Sequence, residues 1–325
     1  MTFAKKALSI GTLAALAAGT AASAGPTLNG AGATFPAPIY QRWFQDLASS
    51  GDVKVNYQSV GSGAGIKQFV KGTVDFAATD EPIKDSEAAK VKRGVVQFPA
   101  VGGSIAIAYN KPGCDLKLTQ KQVVDIFLGK ITDWKALNCG AGRITVAHRS
   151  DGSGTTFAFT NSLSAFSSAW SLGAAKSVNW PVGVGGKGNE GVAGVLTNTP
   201  GSIGYVSVAF VKGALKAAAI QNKAGNFVKP GYKTGTAALN SISLDSNLAG
   251  EDPNPSGAQS YPITTLTWIL AYKNGYGAEK AMDLRKAFMY MLSNKAQALA
   301  DDLGYVPLRG DILKKAKAAI GNVGS

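Results

Sequence analysis

The stretch RSDGSGTTFAF, residues 149–159, places one arginine, one aspartate, four hydroxyls and two glycines in a turn that runs directly into aromatic residues. Glycines let the backbone approach a ligand closely, and hydroxyl groups add hydrogen-bond donors. Three kinds of site use this combination: a catalytic serine loop, a nucleotide-phosphate loop and a cradle for a free anion. Other parts of the chain decide between them.

Two other stretches share this chemistry, GAGATFPAPIY (residues 30–40) and SVGSGAGIKQF (residues 59–69). In all three, glycines and a hydroxyl precede an apolar-periodic segment, which is typical of the start of a helix. A helix start exposes unpaired N–H groups and the positive end of the backbone dipole, so it binds anions without a formal charge. Ordinary helix capping explains any one such loop, but three in one chain favour an anion site. The hydroxyls at these turns belong to Thr34, Ser62, Ser153 and Thr155.

Competing phosphate and hydrolase motifs fit poorly. A P-loop ends in Gly-Lys-Ser/Thr, and none of the three loops does. A nucleophile elbow reads Gly-x-Ser-x-Gly, whereas Asp151 stands two residues before Ser153. His148 is poorly placed to serve Ser153 as a base, because it lies at nearly the same strand end. The dinucleotide-type glycine pattern GVGGKG, residues 183–188, follows Trp-Pro rather than a clear strand and is predicted to be a surface loop.

The net charge of +13 attracts anions broadly. However, the lysines are spread along the chain, and aromatic residues do not alternate with them as a nucleic-acid groove requires. A solvated basic surface is therefore the favoured interpretation, and no nucleic-acid partner is predicted.

The N-terminus has the pattern of a secretory signal peptide. Two lysines precede a short apolar stretch, and the small residues Ala22-Ser23-Ala24 follow. Cleavage after Ala24 is predicted, so residues 1–24 are the signal. No cysteine follows the cleavage site, which argues against a lipid anchor. No later window is long and apolar enough for a membrane helix, and removal of the signal leaves roughly 300 residues, enough for one large or two medium domains.

The cysteines Cys114 and Cys139 each lie beside loop-forming residues in a chain predicted to be exported. A structural disulfide between them is therefore expected. Metal binding would need more ligands, and the only histidine is His148, so no metal site is predicted. No cofactor is predicted either.

Apolar runs alternate with helical patterns, which predicts an α/β fold. Two segments, residues 98–103 and 256–262, are expected to cross between domains. The predicted strands cover residues 54–60, 74–78, 104–109, 143–147, 202–208 and 264–272. The predicted helices cover residues 66–70, 120–128, 156–166, 190–196 and 278–292.

Several motifs in order closely resemble the phosphate-specific substrate-binding proteins of bacterial ABC importers. The likeness is strong from about Leu28 to Tyr205 and continues more weakly through YPITTLTWIL. The motifs are GAGATFPAP, VNYQSVGSGAGIKQF, VDFAATDEP, LGKITDW, RSDGSGTTFAFT, WPVGVGGKGNEG and PGSIGYV.

This resemblance implies a two-lobe periplasmic binding protein fold (type II) that closes over one phosphate in the cleft between its lobes. Lobe one would comprise residues 25–100 plus 260–325, and lobe two residues 101–259. The protein would be a periplasmic monomer that is not an enzyme and that delivers phosphate to a permease in the inner membrane. The motif-matched ligand residues are Thr34, Phe35 (through its backbone N–H), Ser62, Asp80, Arg149, Ser153, Gly154 and Thr155.

Two acidic residues have alternative interpretations. Asp151 is placed either to hold the Arg149 guanidinium by a salt link or to cap the following helix. Asp80 is either a turn residue before Pro82 or a pocket carboxylate that accepts a hydrogen bond only from a protonated ligand. The sequence departs from the family pattern at Gly63, where many relatives have serine, and its two cysteines and basic surplus are not general features of the family.

Two other functions stay open at this point. A binding protein for sulfate or molybdate should lack a pocket carboxylate, so Asp80 argues against it. A secreted phosphatase would need a metal cluster or an activated nucleophile, and neither is evident in the sequence.

Overall fold

The computed structural model describes residue 2, residues 27–51 and residues 53–324. The predicted signal peptide therefore lies almost wholly outside the described residues. The strands are β1 (Leu28–Gly32), β2 (Val55–Ser59), β3 (Phe76–Thr79), β4 (Val95–Asn110), β5 (Lys117–Leu118), β6 (Thr145–Arg149), β7 (Val184–Gly186), β8 (Ser202–Ser207), β9 (Lys216–Ala217), β10 (Ala219–Gln221), β11 (Phe227–Val228) and β12 (Thr264–Tyr272).

Helices follow most of the parallel strands, and the α/β prediction is confirmed. Short 3-10 helices occupy Trp134–Leu137 and Val208–Phe210. The α-helices are α1 (Ala37–Ser49), α2 (Ser62–Lys71), α3 (Asp85–Ala88), α4 (Gln120–Phe127), α5 (Gly154–Phe166), α6 (Gly188–Asn198), α7 (Tyr232–Leu239), α8 (Ala278–Met291), α9 (Asn294–Gln297) and α10 (Gly310–Ile320).

The main sheet of the described chain has the strand order β2-β1-β3-β12-β4-β8-β6-β7, and β9 pairs with β4. The strands β2, β1 and β3 are parallel, as are β8, β6 and β7. Between these two parallel groups, β12 and β4 run antiparallel to their neighbours. The sheet therefore contains two parallel sets of strands joined by its longest strands.

Strand β4 changes partners along its length. It pairs with β12 as far as Ser104 and with β8 from Ile105 onward. Almost every residue of β4 is buried, as expected for a strand that is covered on both faces. The predicted strand at residues 104–109 is thus only the second half of a strand that begins at Val95.

Strand β1 was not predicted, because its sequence LNGAG lacks the β-branched and aromatic residues that mark strands. The packing explains the small residues. A Cβ atom on Gly30 would lie 2.1 Å from Cζ of Phe76, and one on Gly65 would lie 2.4 Å from Cα of Gly32. The Phe76 ring therefore packs beside β1, and helix α2 packs directly against the backbone of that strand.

Cys114 and Cys139 form the predicted disulfide, with their Cα atoms 5.2 Å apart. The bridge ties the loop after β4 to the end of the first 3-10 helix. In the chain-entropy model, a cross-link that closes a loop of this length contributes about 3 kcal/mol to stability. Among the described residues, no helix has the length and hydropathy needed to cross a membrane.

Candidate functional site

The predicted ligand residues lie at the carboxyl ends of parallel strands. Thr34 follows β1, Ser62 follows β2 and Asp80 follows β3, while Arg149 ends β6 and Thr155 lies in the first turn of α5. Ligand sites of α/β sheets form at this edge, where loops leave the strands and helices begin. The side chains of these five residues are each at most 4% exposed, so the site is closed off from solvent.

Hydrogen bonds connect the ends of β2 and β3 with the start of α5. The N–H of Gly154 donates to Ser62 Oγ at 3.1 Å, and Thr155 Oγ1 donates to Asp80 Oδ2 at 3.1 Å. The N–H of Asp80 also donates to Ser62 Oγ, at 3.4 Å. The structure thus brings Ser62, Asp80, Gly154 and Thr155 into one hydrogen-bonded group.

Two residues of the predicted set serve local structure as well. Ser153 Oγ accepts the N–H of Thr156 at 3.0 Å and is the N-cap of α5. Phe35 packs its ring against Tyr305, whose hydroxyl donates to the Phe35 carbonyl at 2.6 Å. The capping and the ring contact fix the two loops in which these residues stand.

Arg149 is held from one side by Asp151. Its Nε and Nη2 donate to the two carboxylate oxygens at 2.8 and 2.5 Å, a bidentate arrangement that fixes the guanidinium plane. Partial burial raises the pKa of Asp151, but the hydrogen bonds and charge of Arg149 outweigh it and hold that pKa below its ordinary value. The salt-link interpretation of Asp151 therefore describes the structure, whereas the predicted capping of α5 is wrong because Ser153 is the cap.

Asp80 is a buried carboxylate with one engaged oxygen. Oδ2 accepts from Thr155, while Oδ1 is buried without a hydrogen-bond partner in the described chain. Burial raises the pKa of Asp80 to about 7, although the nearby hydroxyls of Thr267 and Thr155 and the charge of Arg149 lower it. A group in this position accepts a proton or a protonated ligand readily.

Asn189 was missed by the sequence analysis. It is the second residue of α6 and is fully buried, and its Nδ2 donates to Thr34 Oγ1 at 2.8 Å and to Thr155 Oγ1 at 3.2 Å. Asn189 was missed because the glycine pattern at residues 183–188 predicts a surface loop. This stretch is not a surface loop, because it forms edge strand β7 and the start of α6. Because β7 runs parallel to the end of β6, the helix α6 that follows β7 begins at the same edge of the sheet as the site.

A second missed feature lies behind the site. Lys176 Nζ is 2.6 Å from Glu81 Oε2 and 3.3 Å from Glu87 Oε1, and its carbonyl accepts the N–H of Ser153 at 2.9 Å. Lys84 pairs with the other oxygen of Glu81 at 3.2 Å. The Glu81 carboxylate is therefore buried but paired with two lysines.

His148 does not act on Ser153 in this structure. Its ring stacks on Trp180 with centroids 5.2 Å apart, and its Nδ1 lies 3.0 Å from the carbonyl oxygen of Arg149. Within residues 27–51 and 53–324, no group of three or more His, Cys, Asp or Glu side chains is arranged to hold a metal ion.

The fold and the site define a class of protein that encloses a small anion at the edge of a two-part α/β sheet. A model of the PBP superfamily domain matches residues 17–295. A solved high-affinity periplasmic phosphate-binding protein with bound phosphate superposes with a TM-score of 0.78 at 22% identity, over 92% of this chain and 99% of that one. A phosphate-binding protein from Stenotrophomonas maltophilia superposes with a TM-score of 0.74 at 22% identity, over 90% of this chain and 93% of that one. These likenesses show the two-lobe fold.

Relatives of higher identity narrow the class. The chain is 40% identical to Phosphate-binding protein PstS of Pasteurella multocida over 90% of its own length and 89% of the relative's. It is 42% identical to the protein of the same name from Haemophilus influenzae, over 90% of its length and 92% of the relative's. The chain therefore belongs to the PBP superfamily and, within it, to the family of phosphate-specific substrate-binding proteins of ABC importers.

Proposed function

We propose that this protein binds inorganic phosphate outside the inner membrane and delivers it to an ABC-type phosphate importer. The observation that carries the proposal is the buried group of hydroxyls, N–H groups and one arginine that converges around a single carboxylate, Asp80. Membership of the phosphate-binding family supports the same ligand.

The proposed ligand set combines one cation with neutral donors. Arg149 supplies the only formal positive charge in this set, and Asp151 offsets part of it. The remaining donors are hydroxyls and backbone N–H groups at helix starts, which bind an anion without excess charge. The set comprises Thr34, Phe35, Ser62, Asp80, Arg149, Ser153, Gly154 and Thr155.

Asp80 supports phosphate over sulfate. Phosphate keeps at least one proton near neutral pH, and that proton can be donated to Asp80 Oδ1, which has no partner among residues 27–51 and 53–324. Sulfate has no proton, so an ionised Asp80 would face it as an unpaired, desolvated like charge. Arsenate is protonated like phosphate and is expected to bind.

We propose that lobe one comprises residues 25–100 plus 260–325 and lobe two residues 101–259. The change of partners in β4 at Ser104 and Ile105 supports a crossing close to the first limit. Ligand groups would come from both lobes, so phosphate should favour the closed state. Small-angle scattering is expected to show a more compact particle with phosphate than without it. An unchanged radius of gyration at saturation would contradict closure of the lobes over the ligand.

We also propose that the mature protein is exported to the periplasm after cleavage of a signal peptide. The small residues Ala22-Ser23-Ala24 support cleavage after Ala24. Mass spectrometry of the exported protein is expected to find Gly25 as the first residue, and a start more than a few residues away would contradict this.

Titration calorimetry of the phosphate-stripped protein tests the proposed function. At pH 8 we expect saturable binding of one phosphate, no binding of sulfate or molybdate, and no hydrolysis of p-nitrophenyl phosphate. Arg149→Met is expected to abolish binding, whereas Arg143→Met, which alters an exposed arginine just before β6, is expected to keep it. Preferred binding of sulfate or molybdate, or turnover of the phosphomonoester, would overturn the proposal.

A further inference from the structure

Asn189 makes hydrogen bonds in three directions from the start of α6. Its backbone N–H and its Nδ2 both donate to Thr34 Oγ1, at 3.0 and 2.8 Å. Nδ2 also donates to Thr155 Oγ1 at 3.2 Å, and Oδ1 accepts the N–H of Ser207 at 2.8 Å. One buried amide therefore touches the two threonine hydroxyls of the site and the last residue of β8.

The orientation of this amide follows from its partners. A backbone N–H only donates, so the Asn189 atom that faces the N–H of Ser207 must be the oxygen. The NH₂ group then faces Thr34 and Thr155. In this orientation the Asn189 side chain donates hydrogen bonds to both hydroxyls and accepts none from them.

This orientation decides how the hydroxyls can act. A hydroxyl oxygen accepts two hydrogen bonds and donates one. Thr34 Oγ1 already accepts two from Asn189, so its proton must be donated to a third group. Thr155 Oγ1 accepts from Asn189 and donates to Asp80 Oδ2. Ser62 Oγ likewise accepts two N–H groups, from Asp80 and Gly154.

We infer that Asn189 is a positioning residue that holds the Thr34 and Thr155 hydroxyls as donors. Thr34 can then only donate to the bound anion, while Asp80 Oδ1, which has no hydrogen-bond partner among the described residues, can accept the ligand's proton. Asn189 thereby restricts the site to an oxyanion that accepts a hydrogen bond from Thr34 and donates its own proton in a hydrogen bond to Asp80. This inference rests on the proposed phosphate-binding function.

Asn189→Asp tests the inference, because it keeps the shape and replaces the donating NH₂ with an accepting oxygen. The Thr34 hydroxyl would then turn toward residue 189 and away from the ligand, and the Thr155 hydroxyl would turn away from Asp80. We expect phosphate affinity to fall about 100-fold, the effect of leaving two buried polar contacts mismatched. Asn198→Asp makes the same change at an exposed position of the same helix and is expected to keep wild-type affinity. Affinity within threefold of the wild type for Asn189→Asp would overturn the inference.

A double-mutant cycle separates positioning from general support of the fold. In a Thr34→Val background there is no hydroxyl at residue 34 to orient, so substitution of Asn189 is expected to cost at least fivefold less affinity than in the wild type. If the aspartate variant does not fold, Asn189→Ala removes the side-chain NH₂ donor without adding charge, and the same cycle applies. Equal losses in both backgrounds would mean a structural role only and would overturn the inference. Wild-type protein titrated in the same series tests the proposed function separately, since its failure to bind phosphate would overturn that function itself.

Discussion

Lys176 Nζ lies 2.6 Å from Glu81 Oε2, and this ion pair joins the segment after β3 to the segment between α5 and β7. The Glu81 carboxylate is 3% exposed and the Lys176 side chain 17% exposed. In the proposed division, the two residues belong to different lobes. Asp80 of the candidate site precedes Glu81 in the sequence, and the Lys176 carbonyl accepts the N–H of Ser153. In the proposed division, the pair would therefore link the two lobes beside the candidate site.

Lys176→Met is expected to weaken phosphate binding by about tenfold, a cost of about 1.4 kcal/mol. The reason is that closure would bury Glu81 with only Lys84 as a partner, and removal of one member of a buried pair leaves a poorly compensated charge. Calorimetry at low salt measures the change. Lys121→Met is the control, because Lys121 pairs with Asp125 inside α4 and is 78% exposed. Equal affinities for the Lys176 variant and the control would show that the pair does not contribute to closure.

Gly154→Ala is expected to reduce phosphate affinity by more than tenfold while the protein stays folded. A Cβ atom at this position would lie 2.6 Å from the backbone nitrogen of Asp80 and 2.7 Å from Ser62 Oγ. Backbone atoms yield little, so the added methyl group would hold the two sides of the site apart. Phosphate titration measures this effect.

The control for this change is Gly194→Ala in the middle of α6, where an added Cβ meets nothing within 4 Å. Alanine at such a helical position is expected to leave binding unchanged and to stabilise the fold by up to about 1 kcal/mol. If Gly154→Ala bound phosphate as tightly as Gly194→Ala, the close approach of the two sides would have no role in binding.

The stability of the phosphate-free protein is expected to depend on pH through Asp80. Burial raises the pKa of Asp80 from 3.8 to about 7, so the folded state keeps this proton at pH values at which the unfolded state has lost it. The contribution of Asp80 to the free energy of unfolding is therefore fully present below about pH 4 and falls as pH rises to about 7. At about 1.4 kcal/mol per pKa unit, the loss amounts to a few kcal/mol.

Urea denaturation of the wild type and of Asp80→Asn, each at pH 4.5 and 7.5 without phosphate, measures this dependence. Between these pH values the wild type should lose stability relative to the variant, since asparagine does not titrate. A difference between the two proteins that stays constant with pH would mean that Asp80 does not hold its proton in the folded state.

Local patterns were sufficient for some regular elements of the fold, but not for others such as α7. The strand at Thr264–Tyr272 has the predicted limits, and α4 and α8 each end one residue before the predicted limit. Strand β1 was missed because its small residues are required by Phe76 and Ala78, which are distant in sequence. Such a strand is specified by packing rather than by its own propensity.

The candidate site likewise contains residues that local patterns predict and residues that they do not. Its glycine and hydroxyl loops were identified because a helix start has a local signature. Asn189 was not, because its partner Thr34 is 155 residues away and nothing local marks the contact. The partnership of Lys176 with Glu81 likewise depends on two segments that meet only in the folded chain. Residues that act by connecting distant loops therefore became visible only in the structure.

Calorimetric titration of the wild type and Asp80→Asn with phosphate and with sulfate at pH 8 tests the central claim most directly, namely that Asp80 selects a protonated oxyanion. At this pH most wild-type Asp80 is ionised. The account predicts that the wild type binds phosphate and not sulfate, and that Asp80→Asn, folded and of the same shape, binds sulfate measurably and phosphate less tightly. An Asp80→Asn protein with wild-type phosphate affinity and undiminished exclusion of sulfate would contradict it.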